Sequence, residues 1–471
     1  MRTILKFGGT SVATKAALDA LVRIVAEVSG ERAVVVSATT GTTDALVSAA
    51  EIARDGDGPG AERIARELEA KHRALVVDLF GRDELPAAME AVRELSAITE
   101  RTIELLHSVA LLHELTARTR DAILSYGERV CAPVVAALLC ARGVPATAVS
   151  AATVIATDGQ FGNANPRLEE TRTQALAVLV PLLVKGTVPV VTGFIGATGD
   201  GVITTLGRGA SDYTAGILAA VLDADQCLIY TDVSGVMSAD PRTVKDARPL
   251  PMLSYAEMAE LAYFGAKILH PRAVLPALEK RIPVRILNTF APADHGTTIS
   301  GSAVLDGSVV KATTSLGGLG LVTVQGVGMS GVPGFAARVF DTCAAENVSV
   351  LMISQSSSEN SICLVVPEDA SGRLRTALEL MFRAELRRHD VERVSVEAPV
   401  AIVAAVGEGM RGAPGVAGRV FGALGRAGVN VMAIAQGSSE LNISLVVAER
   451  DRDGAVLAIH GEFHSGSDRP A

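Results

Sequence analysis

Residues 3–11 read TILKFGGTS: a short apolar run, a lysine, two glycines and two hydroxyls. The order describes a strand that ends in a βα turn. Glycines let backbone N–H groups approach an anion, and a helix that follows offers its N-terminus to it. An ordinary βα turn would explain the glycines alone. It does not explain Lys6, because a lysine buried one residue before such a turn is costly without a negative partner. The turn is therefore read as a phosphate site. The chain has no GK dipeptide, which excludes a Walker A loop, and no HRD or DFG element, which excludes the protein-kinase fold.

Outward from this turn, residues 33–37, 144–150, 188–192, 226–230 and 284–288 repeat the apolar run. Near-continuous apolar runs are what parallel strands covered on both faces require. Residues 15–27 and 213–221 carry apolar positions at helical spacing. Alternation of the two predicts an α/β sandwich. Residues 62–79 and 95–120, rich in Ala, Leu, Glu and Arg, read as a helical insertion. A turn-rich stretch, 292–308, marks the boundary of a catalytic domain spanning 1–296.

Beyond it lies a duplication. GVGMSGVPGFAARVF from Gly326 returns as GEGMRGAPGVAGRVF from Gly407, and the 81-position offset holds without a gap, so residues 348–366 lie over 429–447. Each copy reads as strand, Gly-rich turn, helix, strand, tight turn, strand, which makes two small α+β modules, 309–398 and 399–471. The second ends after a short helix near 456–463 and lacks a last strand, whereas 309–315 (VVKATTS) is a strand with no partner of its own. An open edge invites aggregation, so 309–315 is expected to complete the second module.

Composition narrows the function. The chain has 471 residues, 49% hydrophobic and 20% charged, with a mean hydropathy of +0.35. That is enough for several cored domains and too apolar for disorder. The most apolar stretch, 175–197, is interrupted by Pro181, Lys185, Gly186 and Pro189, which argues against a membrane span. A net charge of −9 and only 3% aromatics, with no Trp, argue against nucleic-acid partners. The five cysteines form no CxxC pair, and the first residues lack a signal-peptide core, which together read as a reduced, cytoplasmic protein.

Other motifs need weighing. In LGRGASDY (206–213), capping explains Ser211 and Asp212, but Arg208 between glycines suits a bidentate grip on a carboxylate. Turn chemistry alone explains Asp232, Gly235 and Asp240 in TDVSGVMSADPR. GxGxxG at Gly326 and Gly407 is a decoy for dinucleotide binding, since each copy is too short and ends in a hairpin. His460 and His464, four residues apart, read as a solvated helix face and not a zinc site, so no metal site is assigned.

KFGGTS, SATTGTTDAL, SYGERV, TGFIG, TTLGRGASDYTA, YTDVSGVMSADPR and FGAKILHP, in this order, resemble the aspartokinases of the amino-acid kinase family. The duplicated module is similar to the tandem ACT regulatory domains of the same enzymes. The resemblance implies a three-layer αβα sandwich followed by two ferredoxin-like ACT domains. It implies transfer of the γ-phosphoryl group of ATP, with Mg²⁺ carried by the nucleotide, to the side-chain carboxylate of L-aspartate. The product, 4-phospho-L-aspartate, opens lysine, threonine and methionine synthesis. Carried over by motif, Lys6 bridges phosphoryl oxygens and Gly8 and Gly9 shape the turn. Thr43, Glu128, Arg208 and Ser211 hold aspartate, and Phe194 lines its pocket. Asp212 orients the lysines, while Thr231, Asp232, Arg242 and Lys267 hold the nucleotide. Ala210 stands where the family often has Gly. Met237, at the adenine position, stands where it often has Tyr and offers no ring to stack.

These residue types suit the chemistry. A carboxylate is ionised at neutral pH and needs no general base. The obstacle is repulsion between two anions, which positioned cations and N–H groups offset. A kinase for glutamate or N-acetylglutamate is the nearest alternative, and a ligand sensor with a dead kinase half is another. Intact Lys6, Arg208, Asp212 and Lys267 speak against the sensor. Gln355 and Gln436 repeat at the 81-position offset, each before SSSE or GSSE, and with Asn347 and Asn430 they are read as effector contacts. ISQSSSE and IAQGSSE resemble the threonine-sensitive members more than the lysine-sensitive ones. Threonine is therefore the expected effector, bound at ACT–ACT contacts in a homodimer or larger oligomer.

Overall fold

A computed structural model describes residues 1–80, 85–207, 209–265, 269–301 and 307–464. The described residues fall into two compact units. The first takes those within Met1–Val236, Pro249–Tyr255 and Ile268–Ser302, and the second those within Met237–Arg248, Ala256–Lys267 and Ala303–Ala471. The linear boundary expected near residue 296 thus misses two earlier segments that pack with the C-terminal modules.

The first unit is built on strands β1 (Arg2–Phe7), β2 (Glu31–Val36), β3 (Ala146–Val149), β4 (Val188–Thr192), β5 (Ile195–Ala197), β6 (Ile203–Thr205), β7 (Gln226–Thr231), β8 (Met252–Ser254), β9 (Val284–Asn288) and β10 (Thr297–Ser300). Eight of them form one sheet in the order β3-β4-β2-β1-β7-β9-β10-β8, parallel except at β9–β10. β5 and β6 form a separate hairpin that the sequence reading lacked. Helices are α1 (Lys15–Glu27), α2 (Thr42–Arg54), α3 (Gly58–Leu79), α4 (Leu85–Leu112), α5 (Ala117–Leu124), α6 (Tyr126–Ala141), α7 (Leu168–Val184), α8 (Ala210–Val221), α9 (Tyr255–Tyr263) and α10 (Pro271–Lys280).

The two-residue period of β1 sorts its side chains. Leu5 and Phe7 enter a core with Leu18 and Leu21 of α1 and Val135 and Leu139 of α6. Lys6 points to the other face, where α8 packs on β1 and supplies its partner. Residues 95–120 of the helical insertion run through α4 and into α5. His113 turns left-handed at φ 53, and the Thr116 side chain caps α5 by accepting from the Thr119 N–H. The run Ala117–Ala141, which contains α5 and α6, is long and apolar enough to cross a membrane, but 78% of its most apolar window is buried inside the protein.

The second unit holds β11 (Ala312–Gln325), β12 (Met352–Gln355), β13 (Ser361–Pro367), β14 (Arg393–Val406), β15 (Ala433–Ala435) and β16 (Asn442–Ala448) in one sheet, ordered β12-β13-β11-β14-β16-β15. Its helices are α11 (Phe335–Ala345), α12 (Glu368–Met381), α13 (Arg383–Arg388), α14 (Val416–Arg426) and α15 (Arg452–His464). β11 and β14 run antiparallel along their whole length, with Ala312 opposite Val406 and Gln325 opposite Arg393. The first residues of β11 therefore flank the second module, and the first residues of β14 flank the first module. Each long strand serves both copies. The exchange repeats at the turns: a Cβ on Gly326 would meet Asp390–Glu392 backbone, and one on Gly407 the backbone of Val309–Lys311, 81 positions earlier.

His460 corrects an expectation. It is 5% exposed, and its Nε2 lies 2.9 Å from Ser238 Oγ. The ring is a core group that stacks on His464 at 4.4 Å, so this helix face is not solvated.

Candidate active site

The first unit opens into a cleft of about 610 Å³ lined by Lys6, Thr43, Glu128, Phe194, Ser211 and Asp212 among others. Three helices begin there. α2 starts after Gly41 (φ 80) and presents Thr43 and Asp44, α6 presents Glu128 in its first turn, and α8 starts after Gly209 (φ 70) and presents Ser211 and Asp212. Helix N-termini carry unsatisfied N–H groups and partial positive charge, so three together favour an anionic guest.

Lys6 Nζ lies 2.6 Å from Asp212 Oδ1, with side chains 9% and 13% exposed. The lysine's negative partner is thus a protein carboxylate, whereas the sequence argument had reserved that place for phosphate. The N-cap position of α8 is Gly209, which has no side chain to cap with, and Asp212 sits in the first turn, where a negative charge suits the helix dipole. Gly8 donates its N–H to the Tyr230 carbonyl at 3.0 Å, which spends a group expected to face the anion. Gly9 sits close to the α2 approach, since a Cβ there would come 3.0 Å from the Ala38 carbonyl, tighter than ordinary contact. The chain next makes a 3-10 turn, Gly9–Val12, before α1 begins at Lys15, where the apolar spacing had placed it.

Glu128 is buried at 3% exposure. Burial pushes its carboxyl up to about 7, against the opposing pull of N–H groups from Ala38 and its own backbone, the Lys6 charge and the Ser211 hydroxyl. Its Oε2 has no hydrogen-bond partner among the described residues. A buried, unsatisfied carboxylate oxygen facing a cleft suits an incoming ammonium group. Phe194 holds φ 70, a left-handed backbone that costs a side-chain-bearing residue about 1–3 kcal/mol and concentrates at functional sites. Thr214 Oγ1 accepts its N–H at 3.1 Å, and its carbonyl accepts the Leu206 N–H.

Arg208 and Lys267 lie outside the described residues, although Gly207 and Gly209 line the cleft. Thr231 ends β7, and its hydroxyl donates to Asp232 Oδ1 at 3.1 Å. Met237 and Arg242 belong to the second unit, where Arg242 pairs with Asp240 at 2.6 Å. Among the described residues no group of three His, Cys, Asp or Glu side chains could hold a metal ion.

The second module has a cavity of about 430 Å³ lined by Gln436, Glu440, Met410 and the segment Gly412–Gly418, which runs from the glycine turn into the start of α14. Gln355 is exposed at the end of β12. The two asparagines are not equivalent. Asn347 (φ 52) terminates α11 as Gly428 (φ 70) terminates α14, 81 positions on, while exposed Asn430 matches Ser349.

Three cleft features escaped the sequence reading. Asp121, fully buried, accepts from the Gly162 N–H (2.9 Å), the Thr205 N–H (2.8 Å) and the Thr205 hydroxyl (2.8 Å), fixing two loops at the cleft wall. Gly127 and Gly193 admit close neighbours, since Cβ atoms there would meet Ala38 Cβ at 2.4 Å and Ser211 Cβ at 2.7 Å. The quoted SYGERV and TGFIG motifs contain both glycines, but nothing local says what would crowd them.

A buried lysine and three helix starts gather on a mostly parallel sheet, and the chain belongs to the amino acid kinase family, whose model matches residues 1–288. ACT domains match 322–382 and 403–463. Within that family it groups with the aspartokinases. It is 34% identical to lysine-sensitive aspartokinase 3 of Escherichia coli strain K12, over 98% of each chain. It is 35% identical to a chloroplastic bifunctional aspartokinase/homoserine dehydrogenase of Arabidopsis thaliana, covering 98% of this chain and 50% of that one. The chain spans about half the length of such bifunctional relatives. Its fold matches E. coli aspartokinase III in complex with aspartate and ADP (R-state) at a TM-score of 0.81, 32% identity and 98–99% coverage. The same enzyme with lysine and aspartate (T-state) gives 0.78.

Proposed function

We propose that this protein transfers the γ-phosphoryl group of MgATP to the side-chain carboxylate of L-aspartate. The orphaned Glu128 oxygen beside the Lys6–Asp212 pair carries the proposal. Glu128 takes the substrate's α-ammonium group, Thr43 and Ser211 hold its polar atoms, Phe194 walls it in, and Arg208 grips a carboxylate. Lys6 turns from Asp212 toward the phosphoryl oxygens as charge moves from attacking to leaving oxygen, and Asp212 keeps it oriented. Thr231 and Asp232 serve the nucleotide. Mg²⁺, carried on the nucleotide, would neutralise phosphate charge. The helix starts on the cleft suit this cargo, and the donor set is not that of a resident metal site.

Hydroxylamine trapping separates the substrate readings. With ATP and aspartate the acyl phosphate should be captured as aspartyl hydroxamate, at a rate at least about tenfold above glutamate or N-acetylglutamate. Equal rates would move the substrate class.

Regulation is read the same way. Threonine, preferred over lysine, would bind the ACT region around Gln355 and Gln436 and favour a low-activity state, in a homo-oligomer built through these modules. The cavity beside Gln436 supports a small polar ligand. Calorimetry with threonine and with lysine tests it, and lysine binding without threonine binding would reverse the assignment. The free cysteines, three of them buried, fit a reducing compartment such as the cytoplasm.

A further inference from the structure

His72, on α3, is an imidazole 3% exposed that has no part in the cleft's charge pairs. Its Nδ1 lies 2.7 Å from the Leu68 carbonyl, one turn earlier. A carbonyl only accepts, so the hydrogen-bond network assigns the ring proton to Nδ1 and leaves Nε2 as an acceptor. Nε2 lies 3.1 Å from Thr39 Oγ1, so the Thr39 hydroxyl donates to it. Thr39 Oγ1 in turn accepts from the Thr42 hydroxyl at 2.8 Å. Burial pushes the His72 imidazole below its ordinary value, against the pull of the Leu68 carbonyl, and the Lys71 charge adds to the lowering, which agrees with the neutral ring that these hydrogen bonds describe.

Lys71, one residue back, donates from Nζ to the Thr40 carbonyl at 2.9 Å. Two consecutive residues of α3 therefore hold two consecutive residues of the loop that enters α2. Thr42 is the first residue of α2, and the next two, Thr43 and Asp44, line the cleft. On its other side the His72 ring meets Tyr126 edge to face, with centroids 6.1 Å apart. Tyr126 is the first residue of α6, two before Glu128, and its hydroxyl lies 3.2 Å from Thr99 Oγ1. One buried side chain touches the roots of two helix starts that supply substrate groups.

We propose that His72 is a positioning residue for the amino-acid substrate, fixing the start of α2 through Thr39 and Thr42 and the start of α6 through Tyr126. The inference rests on the aspartate-kinase reading of the cleft. A histidine that merely fills the core would affect stability alone. A positioning histidine affects the substrate held by Thr43 and Glu128 and leaves the nucleotide largely untouched, because a small misplacement of a binding group costs affinity where that group acts.

The test is steady-state kinetics on the full chain with His72→Leu, His72→Gln and Thr39→Val. His72→Leu and Thr39→Val should each raise the aspartate KM about tenfold, with the ATP KM within about twofold of wild type. His72→Gln, whose side-chain oxygen can accept where Nε2 does, should recover most of that loss. The His72→Leu/Thr39→Val double variant should be no worse than the worse single one, as expected of two residues in one hydrogen bond. An unchanged aspartate KM in Thr39→Val, or a His72→Gln variant as impaired as His72→Leu, overturns the inference. Thr39→Val removes one oxygen with little change of shape and decides the matter even where His72→Leu does not fold. A wild-type protein without aspartate-dependent turnover brings down the functional reading and this inference together, whereas active wild type with flat variants brings down this inference alone.

Discussion

Lys6 and Lys311 are both buried lysines paired with a carboxylate, and they differ in what surrounds the pair. Lys6 meets Asp212 at 2.6 Å at the wall of an open cleft, with side chains still 9% and 13% exposed. Lys311 meets Glu257 at 3.2 Å with side chains 2% and 0% exposed, and the other Glu257 oxygen accepts the Glu408 N–H at 2.8 Å. On the proposed reading, the first pair exchanges its partner for an arriving phosphate, because the cleft leaves it open to solvent. The second is sealed from solvent and held within the fold. Access, and not residue type, separates a working ion pair from one that ties α9 to the ACT sheet.

Breaking the sealed pair should have the largest effect. Lys311→Met leaves Glu257 buried without its cation and should cost about 3–5 kcal/mol in denaturant unfolding of the full chain. Lys311→Met with Glu257→Gln should regain much of that, since removing both charges ends the uncompensated burial. A single variant within about 1 kcal/mol of wild type would erase the contrast. Lys6→Ala should do the opposite, lowering turnover by about 10²–10³ while the melting temperature barely moves.

Glu128 sharpens the comparison through pH. Its folded carboxyl, pushed up to about 7, is protonated below that point and ionised above it. An ammonium group binds the ionised form. Aspartate kcat/KM should therefore rise about tenfold per pH unit up to roughly 7 and level off beyond. Glu128→Gln should bind aspartate weakly and lose this limb of the profile. The smallest effect concerns the duplicated module: Gln436→Ala should weaken threonine binding by about 1 kcal/mol, with inhibition reduced in parallel.

Much of this was legible in the sequence, and the limits have a physical pattern. TILKFGGTS announces a strand, a turn and a functional lysine because each rests on local residue order. The duplication announces two modules because register survives in the residues themselves. Partners distant in the chain were not legible. Only the family resemblance tied Asp212 to the lysines, and that Glu257 meets Lys311 and His72 meets Thr39 follows from tertiary placement. His460 misled for the same reason: its polar neighbours in sequence gave no sign of Ser238, 222 positions away. Asp121 escaped because the loops it ties arrive from positions 162 and 205.

The central claim is that the cleft around Lys6 phosphorylates aspartate. Its most direct test counts ADP against aspartyl hydroxamate in one reaction of the full-length protein with MgATP, aspartate and hydroxylamine, beside Lys6→Ala. The account predicts one hydroxamate per ADP, with both falling together in the variant. ADP released without hydroxamate, or hydroxamate formed undiminished in Lys6→Ala, would contradict it.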